Sequence, residues 1–90
     1  MTRCFRAHPD LRLTALEGEG VVLHLGTRRY FSVNETGLAI LEVLKPRASM
    51  AELVAALTSR FDVPEAQAER SAQAFLDRCL ASRLVEEEPC

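Results

Sequence analysis

A chain of 90 residues, 48% of them apolar and 27% charged, has the length and make-up of one small domain. Folding at this size hides only about 60–65% of the unfolded surface, which supports one core but neither a large cofactor fold nor a second domain. Eleven basic against thirteen acidic residues leave a formal net charge of -2, so no strong field draws the chain toward nucleic acid or an anionic membrane.

The first ten residues mix charge with His8-Pro9 and read as an irregular arm. They hold no apolar stretch of the about 7–15 residues that a signal peptide carries, and no run anywhere reaches the ~18 of a membrane helix. A cytoplasmic location is expected. From Leu11 to Glu17, Leu11, Leu13 and Ala15 alternate with Arg12, Thr14 and Leu16, a strand pattern. Glu17-Gly18-Glu19-Gly20 reads as a turn, Val21 to Leu25 as a second strand, and Gly26-Thr27-Arg28 as a second turn. Arg29 to Val33, aromatic and β-branched, is the third strand. Short turns of this kind imply an antiparallel meander.

At Asn34, a good helix cap, the period changes. Leu38, Leu41 and Leu44, with Ile40 and Val43 beside them, form one apolar helix face that Pro46 closes. Gly37 inside this helix costs about 1 kcal/mol relative to alanine, which points to close backbone packing. Ser49 and Glu52 make a capping box for a second helix, whose Leu53, Leu57 and Phe61 stack on one side. Asp62-Val63-Pro64-Glu65 reads as the next start, with Asp62 as the cap. The third helix runs to about Ser82 with Ala68, Ala72, Phe75, Leu76, Cys79 and Leu80 on its apolar side. Leu84-Val85 is a short extension, and Glu86 to Glu88 form a frayed tail. The expected class is α+β, winged helix-turn-helix-like, with a three-stranded antiparallel sheet followed by three helices.

The three cysteines, Cys4, Cys79 and Cys90, are scattered and odd in number. That disfavours a disulfide framework or a zinc site: Cys79 reads as a buried small hydrophobe, and Cys4 and Cys90 as exposed free thiols. His8 and His24 lack neighbouring ligands at metal spacing, and a surface serine such as Ser71 lacks a neighbouring base. Gly18 and Gly20 precede a strand, whereas a dinucleotide-binding loop follows one and opens a helix. No catalytic residue, no metal and no cofactor is expected.

Helix-turn-helix proteins read DNA with the second helix of the pair, here the third of the chain. From Pro46 to Cys90, however, five basic residues face eight acidic ones, which repels phosphate. Backbone is the remaining functional surface. The third strand leads directly into a helix, so its free edge can border a groove in which an extended peptide adds as a strand. On the third helix Ser71, Ala74, Phe75, Arg78 and Ser82 form one shoulder, with small residues beside an aromatic and Arg78 able to meet an acidic group. A winged-helix DNA-binding domain or a structural protein-interaction domain is the alternative.

The stretch Arg29-Tyr30-Phe31-Ser32-Val33-Asn34-Glu35-Thr36-Gly37-Leu38-Ala39-Ile40-Leu41 resembles the central motif of the PqqD-like proteins, with an aromatic pair, an aliphatic residue, Asn, then Thr-Gly and a following Ile. The likeness continues through Glu52-Leu53, Leu57, Phe75-Leu76 and Leu84-Val85, about residues 8–86 within a single domain of 1–90. The resemblance implies a peptide-recognition element for ribosomally made, modified peptides. Such a protein binds a precursor leader on the third strand and presents it to a radical-SAM enzyme, as in PQQ biosynthesis, or to a lasso leader peptidase. Carried onto this chain, Arg29, Tyr30, Phe31, Ser32 and Val33 are the pairing strand, and Ser71, Ala74, Phe75 and Arg78 the groove wall. Asn34, Thr36 and Gly37 hold the strand-to-helix junction. The family often has an acidic residue where Ser71 stands and glycine where Arg83 stands; these departures bear on which leader is read.

Overall fold

The computed structural model describes residues 3–90. The expected meander is present as β2 (Leu11–Leu16), β3 (Glu19–His24) and β4 (Arg29–Asn34), antiparallel in the order β2-β3-β4. The first turn is tighter than the sequence suggests. Leu16 pairs with Glu19, so only Glu17 and Gly18 turn the chain, with Gly18 at φ +76°. Gly20 is therefore a strand residue. A Cβ there would come within 3.0–3.1 Å of the Leu38 side chain, so its role is to let the first helix lie close on the sheet.

A second sheet accompanies the meander. β1 (Arg3–Ala7) lies between β5 (Ala48–Ser49) and β6 (Val85–Pro89), antiparallel to both. Two expectations are corrected by this. The opening segment is a strand from Arg3, not an irregular arm (Met1 and Thr2 lie outside the described residues), and Glu86 to Glu88 are strand residues, not a frayed tail. Three consecutive glutamates are poor strand formers, but here arginines answer them across the ladder. Arg3 meets Glu87 at 3.0 Å, Arg6 meets Glu86 at 3.1 Å and Glu88 at 3.5 Å, and Arg47 reaches Glu88 at 3.7 Å. The same pairing joins the two ends: Cys4, only 4% exposed, is disulfide-bonded to Cys90, so neither is the free thiol expected from the sequence.

α1 (Glu35–Val43), α2 (Met50–Arg60) and α3 (Glu65–Ala81) follow the expected order. Asn34 caps α1 by accepting the Gly37 N–H at 2.8 Å. The capping box of α2 is complete: Ser49 Oγ accepts the Glu52 N–H at 3.2 Å and the Ser49 N–H donates to Glu52 Oε1 at 3.0 Å. Asp62 does not cap α3. The helix begins after Pro64, too late for the Asp62 carboxylate, and has no side-chain cap. Leu11 and Val22 of the meander, Ile40, Leu41 and Leu44 around α1, Leu53 and Leu57 of α2, and Leu76 of α3 are fully buried together. Phe5, Ala7 and Val85 extend that core to the second sheet.

α3 ends in a Schellman motif, in which the Leu84 N–H donates to the Cys79 carbonyl at 2.9 Å and the Arg83 N–H to that of Leu80 at 3.2 Å. Arg83 occupies the left-handed position with φ +60°. A non-glycine residue there costs about 1–2 kcal/mol, and glycine's greater freedom in the unfolded chain returns part of any gain. Arg83→Gly is expected to stabilise the fold by about 0.5–1 kcal/mol, seen as a Tm rise of about 2–8 °C by circular dichroism. An unchanged or lower Tm would show that the arginine side chain contributes more than its backbone costs.

Candidate functional site: a groove along the edge strand

β4 is an outer strand of its sheet, and beyond it lies α3 rather than another strand among the described residues. Between them runs a groove of about 340 Å³ lined by Phe31, Ser32, Val33 and Asn34 of β4 and by Phe75, Arg78, Cys79, Ser82 and Leu84 across from them. A second lobe of about 270 Å³ adjoins it at the strand-to-helix junction, where Asn34, Thr36, Gly37 and Ile40 face Ser71, Ala74, Phe75 and Arg78. Asn34, Phe75 and Arg78 line both lobes.

Local sequence explains this shape. β4 passes directly into α1 because Asn34 ends the strand and caps the helix. A Cβ on Gly37 would come within 2.8 Å of Phe75 Cε1 and 3.2 Å of Val33 Cβ, so glycine at 37 is what admits the Phe75 ring against the junction. A glycine in the first turn of α1 thus has its reason in the groove wall. Arg78 lies over the Phe75 ring, 5.9 Å from its centroid. Cys79 is 2% exposed, and burial pushes its thiol up to about 11 against the opposing effect of Arg78. At neutral pH it is a protonated, apolar part of the wall.

Phe31, Ser32, Val33, Phe75 and Arg78 come together in the first lobe, and Ser71, Ala74, Thr36 and Gly37 in the second. Arg29 and Tyr30 line neither. Tyr30 is 73% exposed and opposite Leu23 in the ladder, while its sequence neighbour Phe31 packs against the core. The period-two alternation of a strand puts the Tyr30 side chain on the other face from Phe31. Cys79, Ser82 and Leu84 line the groove, whereas the helical wheel places only Ser82 of these on that shoulder. Cys79 and Ser82 follow Phe75 at helix spacings of four and seven, the signal that marks a shared face.

The groove has a form in which an extended chain can add as a strand. One wall is a sheet edge, the other is a helix offering an aromatic ring and small side chains, and no described residue of the lining is a carboxylate. Among the described residues no three His, Cys, Asp or Glu side chains converge to hold a metal ion, and no helix is long and apolar enough to cross a membrane.

The family model described as "Coenzyme PQQ synthesis protein D (PqqD)" matches residues 19–85. A search of functionally curated proteins gave no match. Two solved structures share the fold. One is TbiB1 in complex with the TbiA(beta) leader peptide, 25% identical with a TM-score of 0.76, the match covering 90% of this chain and 94% of that one. The other is lasso peptide synthetase B1 complexed with the leader peptide, 24% identical with a TM-score of 0.72, covering 91% and 96%; at that identity it is a likeness of fold alone.

Proposed function

This chain belongs to the PqqD family, and from that premise we propose that it is a non-catalytic recognition element for the leader of a ribosomally made precursor peptide. The observation that carries this reading is the β4 edge running beside α3 as a groove. An extended leader adds there as a further strand: main-chain hydrogen bonds to residues 29–33 supply affinity, and every second side chain enters the groove and fixes register. The solved relative TbiB1, which has nearly the same fold over nearly its whole length, is in complex with a leader peptide and supports the same role here.

The whole of 1–90 acts as one recognition domain in the cytoplasm, with the groove wall formed by Ser71, Ala74, Phe75 and Arg78. It does no chemistry. By holding the leader it raises the effective concentration of the attached precursor at a modifying enzyme, a radical-SAM protein or a lasso leader peptidase, that docks on another face. A duplex-reading role has little physical support. α3 would be the reading helix, and its exposed Glu65, Glu69 and Asp77 outnumber Arg70 and Arg78.

Fluorescence anisotropy tests this with three labelled probes: the leader segment of the precursor encoded beside the gene, the core segment of that precursor, and a random DNA duplex. Saturable binding of the leader alone is expected. No leader binding, or tighter binding of the duplex, contradicts it.

A further inference from the structure

We propose that the groove selects leaders carrying an acidic side chain two residues from an apolar one, with Arg78 as the specificity-determining residue. The inference rests on the strand-addition reading and adds to it the chemistry of the segment that is read.

Two observations carry it. Among the described residues Arg78 is the only charged side chain lining either lobe, and it lines both. It also forms no ion pair with a described residue, as Arg12, Arg28, Arg29, Arg70 and Arg83 do not, but of these six it alone lines the groove. Asp77, the adjacent acid in sequence, is hydrogen-bonded instead by Gln73 Nε2 at 2.9 Å. The guanidinium is thus held over the Phe75 ring with its donors uncommitted among described side chains, beside a cavity with no carboxylate of its own.

The two lobes differ in character. The first has Phe31, Val33, Phe75, Cys79 and Leu84 and suits an apolar side chain. The second brings Asn34, Thr36 and Ser71 near Arg78 and suits a short polar one. Along an added strand, residues i and i+2 point to the same side about 7 Å apart, so neighbouring lobes take alternate residues. Charge complementarity at Arg78 makes the second of these Asp or Glu, with a charge-assisted hydrogen bond to the guanidinium.

Selection from a displayed library of random twelve-residue peptides tests this, using the wild-type chain, Arg78→Gln and Arg78→Glu. Residue 78 is exposed on the helix surface, so both variants keep the fold, which circular dichroism checks. The wild type should enrich Asp or Glu two positions from Leu, Ile, Val, Phe or Tyr. Arg78→Gln should keep the apolar preference and lose the acidic one, and Arg78→Glu should favour Lys or Arg at that position. For one selected peptide made with Glu and with Gln, the wild type should bind the Glu form about 3–10-fold tighter at low salt, a gap that closes in high salt and in Arg78→Gln. Apolar enrichment without the acid overturns the inference and leaves strand addition standing. If no variant enriches any sequence, strand addition itself fails and the inference with it.

Discussion

Phe75→Ala is expected to weaken leader binding by about 10–100-fold while the chain stays folded. The ring lines both lobes, so truncation removes the shared wall against which a leader side chain is buried. Burying an apolar side chain is worth about 1.5–3 kcal/mol, which sets the scale of the loss. Stability should fall by less than the about 3–5 kcal/mol of a fully buried Phe→Ala change, because Phe75 packs against the edge of the core with part of its surface exposed. Anisotropy with the leader probe reads the first effect and thermal melting the second, and Phe75→Leu should recover much of the affinity. If Phe75→Ala binds as tightly as the wild type, the leader lies elsewhere.

The other large effect concerns the termini. Breaking the Cys4–Cys90 bond, by reduction or in the Cys4→Ser/Cys90→Ser variant, is expected to lower stability by up to about 4–5 kcal/mol. The figure follows from the 86-residue separation the bond closes, through the chain entropy it removes from the unfolded state. In a domain of this size that corresponds to a Tm drop of about 15–30 °C, a large share of an ordinary domain's stability. Calorimetry with and without reductant checks it, and equal Tm values would contradict it. Leader binding well below the melting temperature should survive reduction, because β4 belongs to the other sheet.

These two predictions differ in how far the sequence reveals them. The meander, the three helices and the junction at Asn34 are legible because their signals are local: alternation, cap residues and helical spacing all act within a few residues. Gly37 is legible as an anomaly, a costly glycine in an apolar helix, and the approach of Phe75 supplies its reason. The second sheet is not legible. Its central strand pairs with a segment at the opposite end of the chain, and the arginines that make Glu86 to Glu88 tolerable in a strand come from positions 3, 6 and 47. No window of sequence contains both halves of that ladder, so its acids read as a tail and its cysteines as unpaired. The groove lies between these extremes. Phe75 and Arg78 follow from the helical wheel, whereas Leu84 enters only because the Schellman turn at Arg83 folds the chain back. Tyr30 marks a limit of reading a strand as one unit: its backbone belongs to the edge like that of its neighbours, but alternation sends its side chain to the face opposite Phe31.

The most direct test of the account is amide hydrogen exchange on isotope-labelled protein, with and without the leader segment of the neighbouring precursor. Strand addition predicts slowed exchange at alternate amides of Arg29 to Val33, where backbone groups on the free edge acquire partners, together with chemical-shift changes along the Phe75–Ser82 face of α3. Leader binding that leaves β4 exchange unchanged, or that shifts the Arg3–Ala7 and Val85–Pro89 strands instead, would contradict it.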